Sequence, residues 1–198
     1  GVQTCALPIW VLFLGHIVSS EGISTDPEKI TAVQNWPIPR TVKDIRSFLG
    51  LCSYYRRYVQ GFAYMAEPLH ALTKKNQKFC WTEKCQGSFE ALKTKLVDSP
   101  ILAFPNDDGK YILDTDASEA GIGAVLSQEQ GGEERVIAYA SRVCSPAERN
   151  YHAMRREMLA VVYFLKYMHH YLWGRKFIVR TDHAALRWLW KTSARRCR

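Results

Sequence analysis

The sequence predicts an α/β protein (α+β overall) in which a small helical region precedes a unit with a mixed sheet. After Pro105 the text changes to short β-rich segments, "KYILDTD", "GIGAVLSQ" and "ERVIAYAS", joined by tight connections that contain Gly. This pattern is typical of an antiparallel meander. A helical pattern over about 147–172 then leads to a fourth strand, "RKFIVRTD". A helical crossover of this kind predicts that the fourth strand is parallel to one of the first three.

Capping residues mark the helix starts before and just after the basic stretch "TKKNQKFCWT". Asp26 is followed by Pro27, Thr41 has Asp44 three residues on, and Thr82 precedes "EKCQGSFEALKTKLVDS". These are the residue types that favour helix N-termini. Apolar residues of the helix after Thr41 recur at helical spacing and predict its buried face: Ile45, Phe48, Leu49, Cys52, Tyr55 and Val59.

The composition is typical of a folded chain that can bind a polyanion. Hydrophobic residues make up 47% of the 198 residues, which is enough for one sizeable core or two small ones. The formal charge of +8 suits nucleic acid, although a basic balance also serves solubility alone. No apolar run has the roughly 18 residues of a membrane span, and no secretory signal is evident, so we expect an intracellular protein without a membrane partner.

Three acidic residues stand where a sheet edge would gather them. Asp116 ends the first strand of the meander and Asp182 ends the fourth strand. If these strands are parallel neighbours, both side chains emerge at the same edge. Glu157 borders the apolar stripe of the long helix, so its carboxylate requires compensation. Converging carboxylates repel one another unless a cation lies between them, and hard oxygen ligands favour Mg²⁺ or Mn²⁺.

Each acid also has an ordinary structural interpretation. An aspartate that closes a strand often caps the next turn, and a glutamate beside an apolar stripe can extend to water. Asp114 lies on the same side of its strand as Asp116, either as a plain strand residue or as a neighbour of the site. His183, directly after Asp182, is a further candidate for a place near the site.

Four segments in order closely resemble the polymerase of gypsy-type long-terminal-repeat retrotransposons: "FLGHIVSSEGISTDPEKITAVQNW", "FLGLCSYYRRYVQGFA", "YILDTDASEAGIGAVLSQ" and "RREMLAVVYFLKYMHHYLWGRKFIVRTDHAAL". The resemblance implies the end of a palm subdomain with its primer-grip region at 10–25, a helical thumb at 26–75 and an RNase H-like domain at 76–198. Residues 1–9, "GVQTCALPI", instead resemble a translated sequencing adapter and are excluded from the fold prediction.

The resemblance also implies an activity and its residues. Asp116 of "TDAS", Glu157 of "REMLAVV" and Asp182 of "RTDH" match the catalytic, metal-binding acids of ribonuclease H, and Asp114 does not. The implied reaction is hydrolysis of the RNA strand of an RNA–DNA hybrid with Mg²⁺, or Mn²⁺, as the cofactor. The RNase H-like domain is expected to be C-terminally truncated, because the fourth acid of the family pattern lies downstream.

For the thumb, the resemblance implies a grip on the template–primer duplex. Arg46 and Arg57 could follow the phosphates from the polar face of their helix, and Gly50 would permit close approach. A solvated face over a core stripe is the alternative. The polymerase "YxDD" text is expected upstream, so we expect a fragment of a polyprotein, with the palm before it and the end of RNase H and an integrase after it. A non-catalytic nucleic-acid-binding module, or an inactive transposon remnant, is the other hypothesis.

Overall fold

The computed structural model describes residues 10–75 and 77–183, and within them it contains two sheets and seven α-helices. The strands are Val11–Phe13 (β1), His16–Ser19 (β2), Gly22–Thr25 (β3), Tyr111–Ala117 (β4), Gly121–Gln130 (β5), Glu133–Val143 (β6) and Phe177–Arg180 (β7). The helices are Pro27–Gln34 (α1), Val42–Tyr54 (α2), Phe62–Leu72 (α3), Glu83–Val97 (α4), Pro146–Arg149 (α5), Ala153–Tyr167 (α6) and His169–Leu172 (α7). No described helix is both long and apolar enough to span a membrane.

The larger sheet confirms the predicted mixed α/β class. Its strand order is β6-β5-β4-β7. β4, β5 and β6 form the antiparallel meander, and β7 pairs in parallel with β4. The sequence also predicts a helix that begins with "HAALRWLW"; apart from His183, this segment lies outside the described part of the chain, as do the first nine residues.

The predicted caps form. The Asp26 carboxylate accepts a hydrogen bond from the Glu28 amide at 2.9 Å. Thr41 and Asp44 form a reciprocal capping box, in which each side chain accepts from the other residue's backbone amide. The predicted stripe of α2 and the turn after it is buried, with no member more than 3% exposed. Satisfied first-turn amides and a continuous apolar face therefore explain why this segment is helical.

The segment "WVLFLGHIVSSEGIS" predicts a pair of short strands that turn at Ser20-Glu21-Gly22, whereas the structure forms three strands here, β1 to β3. Leu14 and Gly15 make the first turn with φ of +49° and +71°. The Tyr54 hydroxyl donates to the Leu14 carbonyl, and the Tyr55 hydroxyl donates to the Gly15 carbonyl at 2.6 Å. The turn is thus held by α2 and its C-terminal residue, about 40 residues away, and has no Asn-Gly or Asp-Gly pair that would mark it locally.

The helix after Thr41 ends earlier than its pattern predicts. α2 stops at Tyr54, and a 3-10 turn, Arg56–Tyr58, follows. Tyr55 and Tyr58 are both almost fully buried. Side chains three residues apart eclipse each other in a 3-10 turn, which keeps both rings in the core. Arg57 consequently does not continue the polar face of α2.

The long helix predicted over 147–172 is divided into α5, α6 and α7. A capping box between Ser145 and Glu148 stabilises the N-terminus of the short α5. The Arg156 guanidinium donates to the Tyr151 carbonyl at 2.9 Å and so satisfies a backbone acceptor at the first break. The break has no proline to mark it, so the apolar periodicity alone did not reveal it.

Two apolar cores hold these elements together. The first lies among the helices and includes residues of α4 and Leu102, so it continues past the boundary predicted at residue 76. The second lies between the larger sheet and α6. The Arg56 guanidinium donates to the Ser141 carbonyl at 2.8 Å, and the Ala63 amide donates to the Ser141 hydroxyl at 2.9 Å. The helical region is therefore docked on β6.

Two glycines of β5 lie under a tyrosine of α3. A Cβ added to Gly121 would meet the Arg142 carbonyl oxygen at 2.4 Å and the Tyr64 ring at 2.8 Å, whereas one added to Gly123 would approach the Tyr64 hydroxyl only to 3.7 Å. Glycine at 121 is thus required by close approach of backbone and ring.

We expect Gly121→Ala to destabilise the protein by about 1–3 kcal/mol, because the added methyl group overpacks the contact with β6 and α3. Gly123→Ala is the matched control, and it should be neutral or stabilising by up to about 1 kcal/mol, since its methyl group fits and the unfolded chain loses freedom. Urea denaturation of both variants measures the difference. An equal loss of unfolding free energy in the two variants would contradict the close packing described at Gly121.

Candidate metal and nucleic-acid site

Asp116 and Asp182 lie at the same edge of the larger sheet. In the parallel β4–β7 pair, Asp114 is directly opposite Arg180. Both strands run in the same direction, so Asp116 and Asp182, each two residues further on, follow at the same end. A pocket of about 290 Å³ is lined by both aspartates. The structure therefore brings together the two strand-end acids that the sequence singled out.

Glu157 of α6 does not line this pocket but lies near enough to both aspartates to interact with their charges. It is only 6% exposed, and its Oε2 atom is buried without a hydrogen-bond partner among the described residues. Burial raises the pKa of this carboxyl, and the charges of Asp182 and Asp116 raise it further. A carboxylate in this position is destabilised unless a positive charge reaches it.

The donor set suits a divalent cation in kind. It offers carboxylate oxygens from β4, from α6 and from the residues just after β7, and one buried oxygen of Glu157 lacks a partner among the described residues. Within residues 10–75 and 77–183, however, no three His, Cys, Asp or Glu side chains are gathered closely enough to hold a metal ion. Uncompensated carboxylates repel one another, and a bound cation would offset that repulsion.

Arg180 is a feature that the sequence did not reveal. Its guanidinium donates to both Asp114 oxygens at 2.5 Å and to both Glu134 oxygens at 2.9 and 2.7 Å. Asp114 is thereby engaged in an ion pair across the β4–β7 register, which separates its role from that of Asp116. The only sequence signal was the alternation that put Asp114 on the same side as Asp116.

Tyr64 is the second residue that the sequence did not indicate. With Gln60 and Gly61, it forms one wall of a pocket of about 190 Å³ whose other wall includes Asp114 and Asp116. Burial raises the pKa of Tyr64 to about 12; the nearby Ser118 side chain opposes this rise and the nearby Asp116 charge adds to it. The helical region thus reaches the acidic edge of the sheet.

The structure does not place the three predicted duplex-contacting residues on one surface. Arg46 is exposed on α2, with a 3.3 Å hydrogen bond to the Thr73 carbonyl, and Gly50 is exposed one turn later with open space around it. Arg57 is half-buried, and its Nη2 lies 3.4 Å from the Tyr171 hydroxyl. Arg46 and Gly50 therefore share a surface that Arg57 does not join.

His183 lies beside the acids. Its Nδ1 is buried without a hydrogen-bond partner among the described atoms, and its backbone amide donates to the Thr181 hydroxyl at 3.3 Å. Its charge acts on Glu157 in the direction opposite to that of the aspartates. The imidazole is therefore close enough to Glu157 to influence its ionisation.

Glu157→Gln should raise the melting temperature at pH 7 in the presence of a chelator, by about 2–4 °C for each kcal/mol gained. Because its pKa is raised in the folded state, Glu157 lowers stability as the pH rises above the ordinary carboxyl value of 4.5. The gain should therefore shrink towards pH 4. Thermal melts across this pH range measure it.

Glu148→Gln is the matched control, because the pKa of Glu148 is shifted in the opposite direction and its charge stabilises the fold. The Arg142 guanidinium and the Ser145 amide lower the pKa of Glu148 to about 2. Its stabilising contribution is therefore present above the ordinary carboxyl pKa and is lost as the pH falls towards 2. Glu148→Gln should destabilise the protein at pH 7. A loss of stability in Glu157→Gln at pH 7 would contradict the strain assigned to that carboxyl.

Arg180→Met should lower the free energy of unfolding by about 1 kcal/mol, since it removes two partly exposed ion pairs. The loss should be larger in dilute buffer than at about 1 M salt, which screens the pairs. Arg175→Met removes a pair with the highly exposed Asp107 and hydrogen bonds to the Asn106 and Asp107 carbonyls, so any loss of stability that it causes should depend less on salt than that of Arg180→Met. Urea titrations at both salt concentrations test this, and a salt-independent loss would point to packing instead.

The chain matches the family model of the RNase H-like domain found in reverse transcriptase over residues 81–179. It is 42% identical over 179 residues to the retrovirus-related Pol polyprotein from transposon 297 and 39% identical over 189 residues to that from transposon gypsy, both of Drosophila melanogaster. Each match covers 89% of this chain but 16% and 18% of those polyproteins, so the chain spans under a fifth of their length.

Solved structures with the same fold come from a foamy virus. The foamy viral protease-reverse transcriptase dRH in complex with ds DNA has a TM-score of 0.81 and 24% identity, covering 93% of this chain and 33% of that one. The protease-reverse transcriptase in complex with an RNA/DNA hybrid has a TM-score of 0.76 and 24% identity, covering 86% and 23%. The resemblance to gypsy-type retrotransposons is confirmed, and the chain belongs to the family of RNase H-like domains found in reverse transcriptases.

Proposed function

We propose that this chain is part of a retrotransposon Pol polyprotein that acts inside the cell and hydrolyses the RNA strand of RNA–DNA hybrids. The observation that carries the proposal is the convergence of Asp116 and Asp182 at one sheet edge with the buried carboxylate of Glu157. The likeness to retrotransposon polyproteins supports the reaction class. The foamy viral structure that contains an RNA/DNA hybrid supports the substrate.

Asp116, Glu157 and Asp182 would hold Mg²⁺, or Mn²⁺, at the sheet edge. Bound there, the cation supplies an activated water near neutral pH and offsets the charge that develops on the phosphate. The protein's own contribution is positional. β4 and β7 fix the two aspartates side by side, and α6 presents Glu157 from a dry core where its charge is poorly solvated. Arg180 neutralises Asp114, so Asp114 does not compete with the three proposed ligands for the cation.

Recognition of the hybrid would rest on its backbone. A chain with a formal charge of +8 attracts phosphates irrespective of sequence, and the 2′-hydroxyl distinguishes the RNA strand. The exposed Arg46 and the open surface at Gly50 suit contact with a template–primer duplex. Arg57 would contribute only by turning from Tyr171 towards the duplex.

A second candidate function is a nucleic-acid-binding module that does not cut. The observation in its favour is that no three candidate metal ligands among the described residues are gathered into a compact cluster. The two functions share a substrate but differ in the use of the acids. Cleavage and metal binding therefore separate them.

Asp116→Asn should reduce cleavage of a labelled RNA–DNA hybrid with Mg²⁺ by at least about a hundredfold, because it removes a carboxylate that no neighbour replaces. Asp114→Asn is the matched comparison two residues away. It loses an ion pair with Arg180 rather than a metal ligand, so its cleavage should stay within about tenfold of the unsubstituted chain. Gel analysis of the labelled RNA strand measures both.

Thermal melts with and without Mg²⁺ provide a readout independent of turnover. A ligand that binds only the folded state raises the melting temperature, so Mg²⁺ should stabilise the unsubstituted chain and not Asp116→Asn. Equal cleavage by the two chains would contradict the metal-site assignment. Tight hybrid binding with neither cleavage nor stabilisation by Mg²⁺ would favour the binding module.

A further inference from the structure

The acidic edge of the sheet has a wall that comes from the helical region. Tyr64 of α3 lies against β5, where its ring would meet a Cβ at Gly121 at 2.8 Å and its hydroxyl would meet one at Gly123 at 3.7 Å. Glycine at alternate positions in a strand costs stability and commonly marks a close approach of another group. Gly121 leaves the space that the Tyr64 ring fills, and Gly123 lies in ordinary contact distance of the Tyr64 hydroxyl.

The Tyr64 hydroxyl has no hydrogen-bond partner among the described residues although it is buried. The neighbouring Ser118 hydroxyl accepts from the Gly121 amide at 3.2 Å and donates to the Gly121 carbonyl at 3.3 Å, and it forms no hydrogen bond with Tyr64 among the described residues. Buried hydroxyl groups without a partner are uncommon and costly. An unpaired donor beside a pocket therefore indicates a ligand that completes it.

The pocket restricts what this ligand can be. Its lining joins Gln60, Gly61 and Tyr64 to Asp114 and Asp116, and it has a volume of about 190 Å³. A phenol donates one hydrogen bond, and a phosphate oxygen accepts one. Asp114 is paired with Arg180, so a cation held by Asp116 would leave the Tyr64 side of this pocket able to take a backbone phosphate of a strand that lies across the sheet edge.

We propose that Tyr64 is a substrate-contacting residue whose hydroxyl donates a hydrogen bond to a phosphate oxygen of the nucleic-acid strand bound at Asp116. This inference rests on the proposed hydrolysis of hybrids, and it adds a contact from the helical region to the acids of the sheet. It also gives the docking of α3 on the sheet a role in substrate binding.

Tyr64→Phe tests the proposal, because it keeps the ring over Gly121 and removes only the hydroxyl. The melting temperature should be unchanged or higher, since the lost group has no partner in the free protein. The dissociation constant for a fluorescent RNA–DNA hybrid, measured by anisotropy in chelator, should rise by about tenfold, as for a lost hydrogen bond to a charged group. In cleavage assays KM should rise with little change in kcat.

Tyr139→Phe is the matched control. Tyr139 is a half-buried tyrosine of β6 whose pKa is raised by burial alone, and it lines neither pocket at the acids. It should not alter hybrid affinity. Unchanged affinity and KM in Tyr64→Phe, with normal cleavage by the unsubstituted chain, would overturn the Tyr64 contact and leave the proposed function intact.

Two other outcomes separate the claims. Weaker hybrid binding by Tyr64→Phe in a chain that does not cleave would support the contact and count against the proposed hydrolysis. A lower melting temperature in Tyr64→Phe, with hybrid affinity unchanged, would overturn the contact by showing that the hydroxyl serves only the fold.

Discussion

The candidate site depends on the parallel pairing of β4 with β7. These strands are joined through β5, β6 and the helices α5 to α7, and only their pairing puts Asp116 and Asp182 at the same edge. β7 has four residues, with Phe177 and Ile178 38% and 39% exposed, so it buries little apolar surface. A slip of one residue would turn Asp182 to the other face. The bidentate contact of Arg180 with Asp114, its register partner, opposes that slip.

The same pairing brings several carboxylates together, and only some of them have a cationic partner. Arg180 compensates Asp114 and Glu134 and lowers the pKa of Glu134 through a hydrogen bond. Asp116, Asp182 and Glu157 receive no such partner among the described ion pairs, and burial with two like charges raises the pKa of Glu157. A fold selected for stability alone would replace or pair that buried carboxylate. The strain is therefore consistent with a site that is completed by a ligand.

How far the sequence predicts this arrangement depends on the range of the interactions involved. The caps at Asp26 and Thr41 are local, and the inward orientation of Glu157 follows from helical periodicity, so these were predictable. The turn at Leu14 and the end of α2 at Tyr54 depend on packing between distant segments, which left no local signal. Arg180 and Tyr64 were missed for the same reason. Each acts on a residue about 60 positions away, and neither has a motif.

The helical region and the sheet form one functional surface. Ser141 accepts from the Ala63 amide and the Arg56 guanidinium, which fixes α3 against β6. This contact lies on the element that carries Tyr64, so the position of the phenol beside Asp116 follows from backbone contacts and not from a flexible side chain alone. A side chain at position 121 is excluded by the Arg142 carbonyl oxygen of β6, and the docked α3 adds the Tyr64 ring as a second obstacle. The glycine is thus explained by the neighbouring strand and by the helix that covers it.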